Sequence, residues 1–185
     1  MITLSAADMP ATTGSPQQDP RETKPGDLTL LEHPVARELL QSTLPAHLAY
    51  IARDGTPRVV PLLFHWTGEE IILSSWPDDP KVTALRRHPA VALTIDTAEP
   101  PFHVLSLRGT AEVTIVDGMA NECLPMFTRY MGPKQGAAWV ARMTGMTDRS
   151  ARIAIRPTWV DVLDFETRFP SGMTRRMNEG DRVMG

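Results

Sequence analysis

The chain has 185 residues, 42% of them hydrophobic, a formal charge of −3 and one cysteine. That length is enough for one domain with its own core, and the slight negative charge gives no footing for a general nucleic-acid binder. No apolar run approaches the roughly twenty residues that span a bilayer, and a lone Cys123 excludes an internal disulfide framework. Seventeen prolines against a 6% aromatic fraction fit a loop-rich β or α+β protein better than a helical bundle. Residues 1–20 lack the charged start and apolar centre of a secretory signal, so a cytoplasmic protein is expected.

In chain order, residues 1–27 carry Pro, Thr, Ser, Gln and charge with almost no apolar period, the composition of a disordered N-terminal arm. One domain is expected from 28 to 170. It opens with a short helix over 33–40, with Pro34 in its first turn and Val35, Leu39 and Leu40 on one face. A strand over 48–53 turns at Asp54-Gly55 and returns over 58–65. The second strand is expected to turn at 67–69 and come back over 70–75. Pro61 cannot donate to a ladder, which places its strand at an edge or a bulge.

Ser74 and Ser75 end that strand, and a short helix begins near Lys81. Hydroxyls, an ammonium and the unpaired N–H groups of a helix start together can hold an anion, although a lysine at a helix start is common on any surface. A strand follows over 91–96. From 104 to 116 the pattern alternates strictly, with Leu105, Leu107, Gly109, Ala111, Val113 and Ile115 on one face and Ser106, Arg108, Thr110, Glu112 and Thr114 on the other. Two helices are expected over 119–131 and 134–143, split at Gly132-Pro133, then a last strand over 151–165 bent at Pro157. Residues 171–185 read as a flexible C-terminal tail. Six antiparallel strands joined mostly by hairpins, with helices at three connections, indicate a closed or nearly closed β-barrel.

The order of these segments resembles the flavin-binding split-barrel family named after pyridoxamine 5′-phosphate oxidase. The likeness rests on the run Asp54-Gly55-Thr56-Pro57-Arg58-Val59-Val60-Pro61, on Ile72-Leu73-Ser74-Ser75, on Lys81 with 85–93, and on 107–113. It covers about 33 to 165. The resemblance implies a mainly β fold, a six-stranded antiparallel split β-barrel with short covering helices that pairs into a homodimer. It implies a cofactor between the subunits, FMN or alternatively coenzyme F420. Ser74, Ser75 and Lys81 match the phosphate-holding positions, and the ring is expected against the strand carrying Val59, Val60, Pro61 and Leu62. Two positions depart from the family pattern. Asp79 stands where many relatives have a basic or hydroxyl residue, and Ala84 where many have asparagine. Asp78 and Asp79 would repel a phosphate unless they cap the helix instead.

The function implied is a flavin-dependent oxidoreductase passing hydride to or from a small organic substrate. A non-catalytic protein binding a flavin or another planar ligand, and a structural dimer without cofactor, are the competing readings. No side chain is singled out as catalytic. His47, His65, His88 and His103 are scattered without metal-ligand spacing, so no metal site is expected. Cys123 sits in a helical apolar pattern and reads as a packed side chain.

Overall fold

The computed structural model describes residues 24–183, so the expected N-terminal arm up to residue 23 lies outside the described residues. Its last part is anchored: the Gly26 N–H donates to the Val160 carbonyl at 2.7 Å. Helix α1 spans Pro34–Gln41, started by His33, whose Nδ1 accepts from the Val35 N–H at 3.3 Å. It buries Val35, Ala36, Leu39 and Leu40, the apolar stripe expected of it.

Strands β1 (Ala46–Ile51) and β2 (Pro57–Leu62) form the first hairpin, turning at Gly55 with φ 78°. β3 is only His65–Trp66, followed by β4 (Ile71–Ser75), α2 (Pro80–Arg87), β5 (Ala90–Asp96) and β6 (Val104–Asp117). Helices α3 (Cys123–Met131) and α4 (Pro133–Thr144) precede β7 (Arg149–Leu163) and α5 (Ser171–Val183).

All seven strands lie in one antiparallel sheet ordered β2-β1-β5-β6-β7-β4-β3. β2 and β3 are the two outer strands of that sheet, yet only Leu63 and Phe64 separate them in the chain. Three Cα steps span at most about 11 Å, so the sheet must curl until its two edges face each other. The result is a split barrel left unpaired along that seam.

Two expectations change here. The return strand over 58–65 is not one strand, which makes the count seven instead of six. The expected pairing with 70–75 survives only at its end, where His65 and Trp66 form β3 against β4; β2 pairs with β1, and β4 has β7 on its other side. Phe64 is the cause, because its ring is fully buried and draws the chain off the ladder into the core. The guanidinium of Arg129 lies 4.6 Å from that ring and donates to the Phe64 carbonyl, replacing the lost ladder partner. Pro61 does lie on an edge strand, opposite His47.

The core runs through the middle of the curl. Leu48, Leu73, Leu93, Ile95, Leu105, Leu107, Ile153, Ile155, Val160 and Val162 are all buried in one cluster. β6 keeps its alternation, and its one irregularity falls between Arg108 and Gly109. There a Cβ on Gly109 would come within 2.4 Å of the Arg156 carbonyl, so only glycine allows β7 this close. Beyond the barrel, residues 171–183 form helix α5, exposed over 171–177, in the segment expected as a flexible tail. Among the described residues no helix is long and apolar enough to cross a membrane.

Candidate functional site

β4 carries three buried apolar residues, Ile71, Ile72 and Leu73, and then two half-buried serines at its end. The chain turns through Trp76, Pro77 and Asp78 and enters α2 with Asp79 as N-cap and Pro80 at the first helical position, where its missing N–H costs nothing. Val82, Ala84 and Leu85 pin the helix to the barrel.

Asp79 is the centre of a small polar knot. Its Oδ1 accepts from the Lys81 backbone N–H at 2.9 Å, and its Oδ2 accepts from the Ser75 hydroxyl at 3.1 Å and from the Lys81 ammonium. Only 14% of the Lys81 side chain is exposed, so the ammonium is held there and not in bulk water. Burial pushes the Asp79 carboxyl up, but the hydrogen bonds and charge of Lys81, with the Ser75 hydroxyl, outweigh it and hold Asp79 below its ordinary value. It is ionised at neutral pH. The pair of Lys81 and Asp79 therefore carries no net charge.

Beside this knot is a cleft of about 300 Å³, at the small end of the range for small-molecule sites. Leu62 and Leu63 form one wall where the chain crosses the seam, and Ser74, Ser75, Trp76, Asp79 and Lys81 form the polar end. Met119, Met126, Phe127, Met143 and Ser150 complete it. Most of these last residues stand on the helical hairpin of α3 and α4, which is fixed by close backbone packing. A Cβ on Gly136 would lie 2.6 Å from the Thr128 nitrogen, so α4 touches α3 directly at that point. Arg129 ties α3 to the barrel through the carbonyls of Ser42 and Phe64, and the Tyr130 hydroxyl donates to the Leu44 carbonyl at 2.9 Å. At the other end of α3, Glu122 meets Arg152 of β7 at 2.8 Å.

The residues proposed from sequence fall into two groups. Leu62, Ser74, Ser75 and Lys81 meet in the cleft. Val59, Val60 and Pro61 lie further along β2, outside that lining, and Val59 is 65% exposed on the open edge. Asp79 resolves the choice left open by its charge: it caps α2, and it also takes the lysine. Asp78 is exposed, and Arg86 and Arg87 are exposed at the C-terminal end of α2, away from the cleft. Trp76 is on the rim at 36% exposure. The sequence reading missed Leu63, Met119, Met126, Phe127, Met143 and Ser150; no local motif marks them, because only the folding of α3, α4 and β7 onto the barrel brings them there.

The lining contains no activated nucleophile. Cys123 is 1% exposed behind it, and burial pushes its thiol up, so it stays neutral and packs. The cleft can instead receive a flat, mostly apolar molecule against thioether and aromatic side chains and meet its polar edge with hydroxyls. A second hollow, of about 340 Å³, lies on another flank of α2, where Tyr50, Arg53 and Arg58 meet Pro80 and Ala84. Its Arg58 is held by Asp54 at 3.0 Å.

The family model for pyridoxamine 5′-phosphate oxidase matches residues 33–163. Among solved structures, an F420 reductase is 30% identical over 68% of this chain and 94% of its own, with a TM-score of 0.52. A conserved hypothetical protein from Mycobacterium tuberculosis is 21% identical over 70% of this chain and 82% of its own, with a TM-score of 0.58. A heme storage protein from Vibrio cholerae is 17% identical over 68% and 89% of the two chains, with a TM-score of 0.50. These last two likenesses concern the fold alone. No curated protein matches the sequence. With seven strands in split-barrel order and a family match that spans the barrel from α1 to the end of β7, this chain belongs to the pyridoxamine 5′-phosphate oxidase family.

Proposed function

We propose that the protein is an oxidoreductase that holds the tricyclic ring of a flavin or deazaflavin in the cleft beside Lys81 and acts on a small organic substrate. The observation that carries this reading is the composition of the cleft: thioether and aromatic walls for a flat ring, and hydroxyls with an ammonium at one end. Family membership and the likeness to an F420 reductase support it. Family membership puts FMN forward as the cofactor, with coenzyme F420 the alternative.

The ring and the tail of such a cofactor fare differently against these residues. The apolar walls suit the ring. The donors that would grip a phosphate, the Lys81 ammonium, the Ser75 hydroxyl and the Lys81 N–H, are already engaged by Asp79, so the phosphate does not fit the arrangement as it stands. A bound flavin or deazaflavin supplies hydride chemistry at its central ring. The chain's own contribution is to orient the ring and, with the methionines and Phe127, to keep water from one side of it.

The unpaired edge of β2, with Val59, Val60 and Pro61, is the surface we assign to a second copy of the chain, which would extend the cleft over the ring. A cytoplasmic homodimer is the form in which we expect the protein to work. The competing reading is a carrier that binds the same ring without turnover, favoured by the lack of any side chain in the lining poised to move a proton.

Titration with riboflavin, FMN and a deazaflavin, followed by quenching of the ligand's fluorescence, tests the binding. Reoxidation of the reduced, bound ligand by a quinone or other small organic acceptor, faster with the protein than without it, tests the redox role. Binding with no acceleration would favour the carrier. No binding of any of the three would end both readings and leave the structural dimer.

A further inference from the structure

The anion seat at the end of β4 is complete in its donors and already has an anion in it. Three donors converge on one carboxylate. Lys81 contributes its ammonium and its backbone N–H, Ser75 its hydroxyl, and Asp79 receives all three. The ion pair is mostly out of water, with 14% of the lysine side chain and 25% of the aspartate side chain exposed. We infer that this cleft selects an isoalloxazine whose tail carries no charge, riboflavin or its 5-deaza counterpart, over the phosphorylated forms. The inference rests on the proposed function and names its ligand more narrowly.

A phosphate has two ways in, and both are opposed. It can displace Asp79, which must then give up its ammonium partner and its hold on the start of α2 together. Or it can lie beside Asp79, where two anions meet in a partly desolvated cleft and repel more strongly than they would in water. Among the described residues of one copy no other cation of the lining compensates, since Lys81 is its single lysine and it contains no arginine. Arg86 and Arg87 face solvent at the far end of α2. What the polar end does offer is neutral: the half-buried hydroxyl of Ser74, which can exchange hydrogen bonds with the hydroxyls of a ribityl chain. The single residue that sets the preference is Asp79, a positioning residue for Lys81 and a competitor for the phosphate.

The test is a fluorescence titration of riboflavin and of FMN against the full chain and two variants. Asp79→Ser keeps a capping hydroxyl while removing charge and volume; Asp79→Asn removes charge alone and keeps the cap. Thermal melts establish that each variant is folded, and Asn carries the test if Ser does not fold. The unaltered protein is expected to bind riboflavin ~10-fold or more tighter than FMN, the scale of one unfavourable close charge contact. In the variants FMN should gain ~10-fold or more while riboflavin moves by less than ~3-fold. FMN binding as tightly as riboflavin to the unaltered protein would overturn the inference and leave the flavin reading standing. The expected preference, unchanged in both variants, would overturn the role of Asp79. Failure of both ligands to bind every form would sink the flavin reading itself and the inference with it.

Discussion

Asp79 and Asp164 do the same local work at opposite ends of the barrel, and their surroundings give that work different meanings. Asp164, just after β7, accepts from the backbone N–H groups of Glu166, Thr167 and Arg168 at 3.0, 2.8 and 2.7 Å, and from the Thr167 hydroxyl at 2.6 Å. Every donor belongs to its own turn. Asp79 also satisfies a backbone N–H, but its second oxygen is spent on a lysine and a serine that line a cleft. A carboxylate closed within its own turn secures the chain, whereas one that holds the donors of a cleft decides what else those donors can hold.

The largest effect expected from this contrast is on stability. Asp164 is 7% exposed, so Asp164→Ala leaves several donors without their acceptor. A loss of about 2–3 kcal/mol, or roughly 5–10 °C in melting temperature, is expected with the riboflavin-to-FMN ratio untouched. A shift in that ratio would show that the two aspartates are coupled.

Acid should find Asp164 next. Burial pushes its carboxyl up, but the Thr167 hydroxyl and the backbone N–H groups outweigh this and bring it from 3.8 down to about 2. A carboxyl depressed in the folded state adds stability that is present above its ordinary value and is lost as pH falls through the folded one. That contribution, about 2 kcal/mol, should therefore fade between pH 3.8 and about 2. Urea melts at about pH 5 and about pH 2.5 should show the gap between the protein and Asp164→Asn closing in acid. A gap that widens in acid would contradict the sign.

At Asp79 the order reverses, with ligand choice moving more than stability. Asp79→Asn retains a good cap but takes the counter-ion from a Lys81 ammonium only 14% exposed, so a loss of about 1 kcal/mol in stability is expected beside about 1.4 kcal/mol or more in FMN affinity. A stability loss larger than the affinity change would make Asp79 a purely structural cap like Asp164. Smallest of all should be the effect of Lys81→Met on riboflavin, less than about 0.5 kcal/mol by titration, because a neutral tail has no use for the ammonium. Loss of riboflavin binding there would place the lysine against the ring.

These expectations depend on parts of the molecule that were legible in the sequence to different degrees. The alternation of β6 could be read directly, because one face meets the core and the other meets water: Leu105 and Leu107 are buried while Arg108 and Thr110 are exposed. Pro61 placed its strand at the edge for a local reason, its missing N–H. The break after Leu62 could not be read, since Leu63 and Phe64 extend an apolar strand pattern and their departure from it depends on Arg129, distant in the chain. The same division runs through the site. Ser74, Ser75 and Lys81 are close in sequence and were found together, while Met126, Phe127, Met143 and Ser150 reach the cleft only through tertiary packing. Asp79 was visible as an anomaly of charge. Its place inside the seat of the expected phosphate needed coordinates.

The central claim, that Asp79 occupies the seat a cofactor phosphate would otherwise take, meets its most direct test in a crystal structure of Asp79→Ser grown with FMN. The phosphate should be found within hydrogen-bond reach of Lys81 Nζ and Ser75 Oγ, with the ring against Met126 and Phe127. A phosphate seated instead in the hollow of Arg53 and Arg58, with Lys81 turned to solvent, would contradict it.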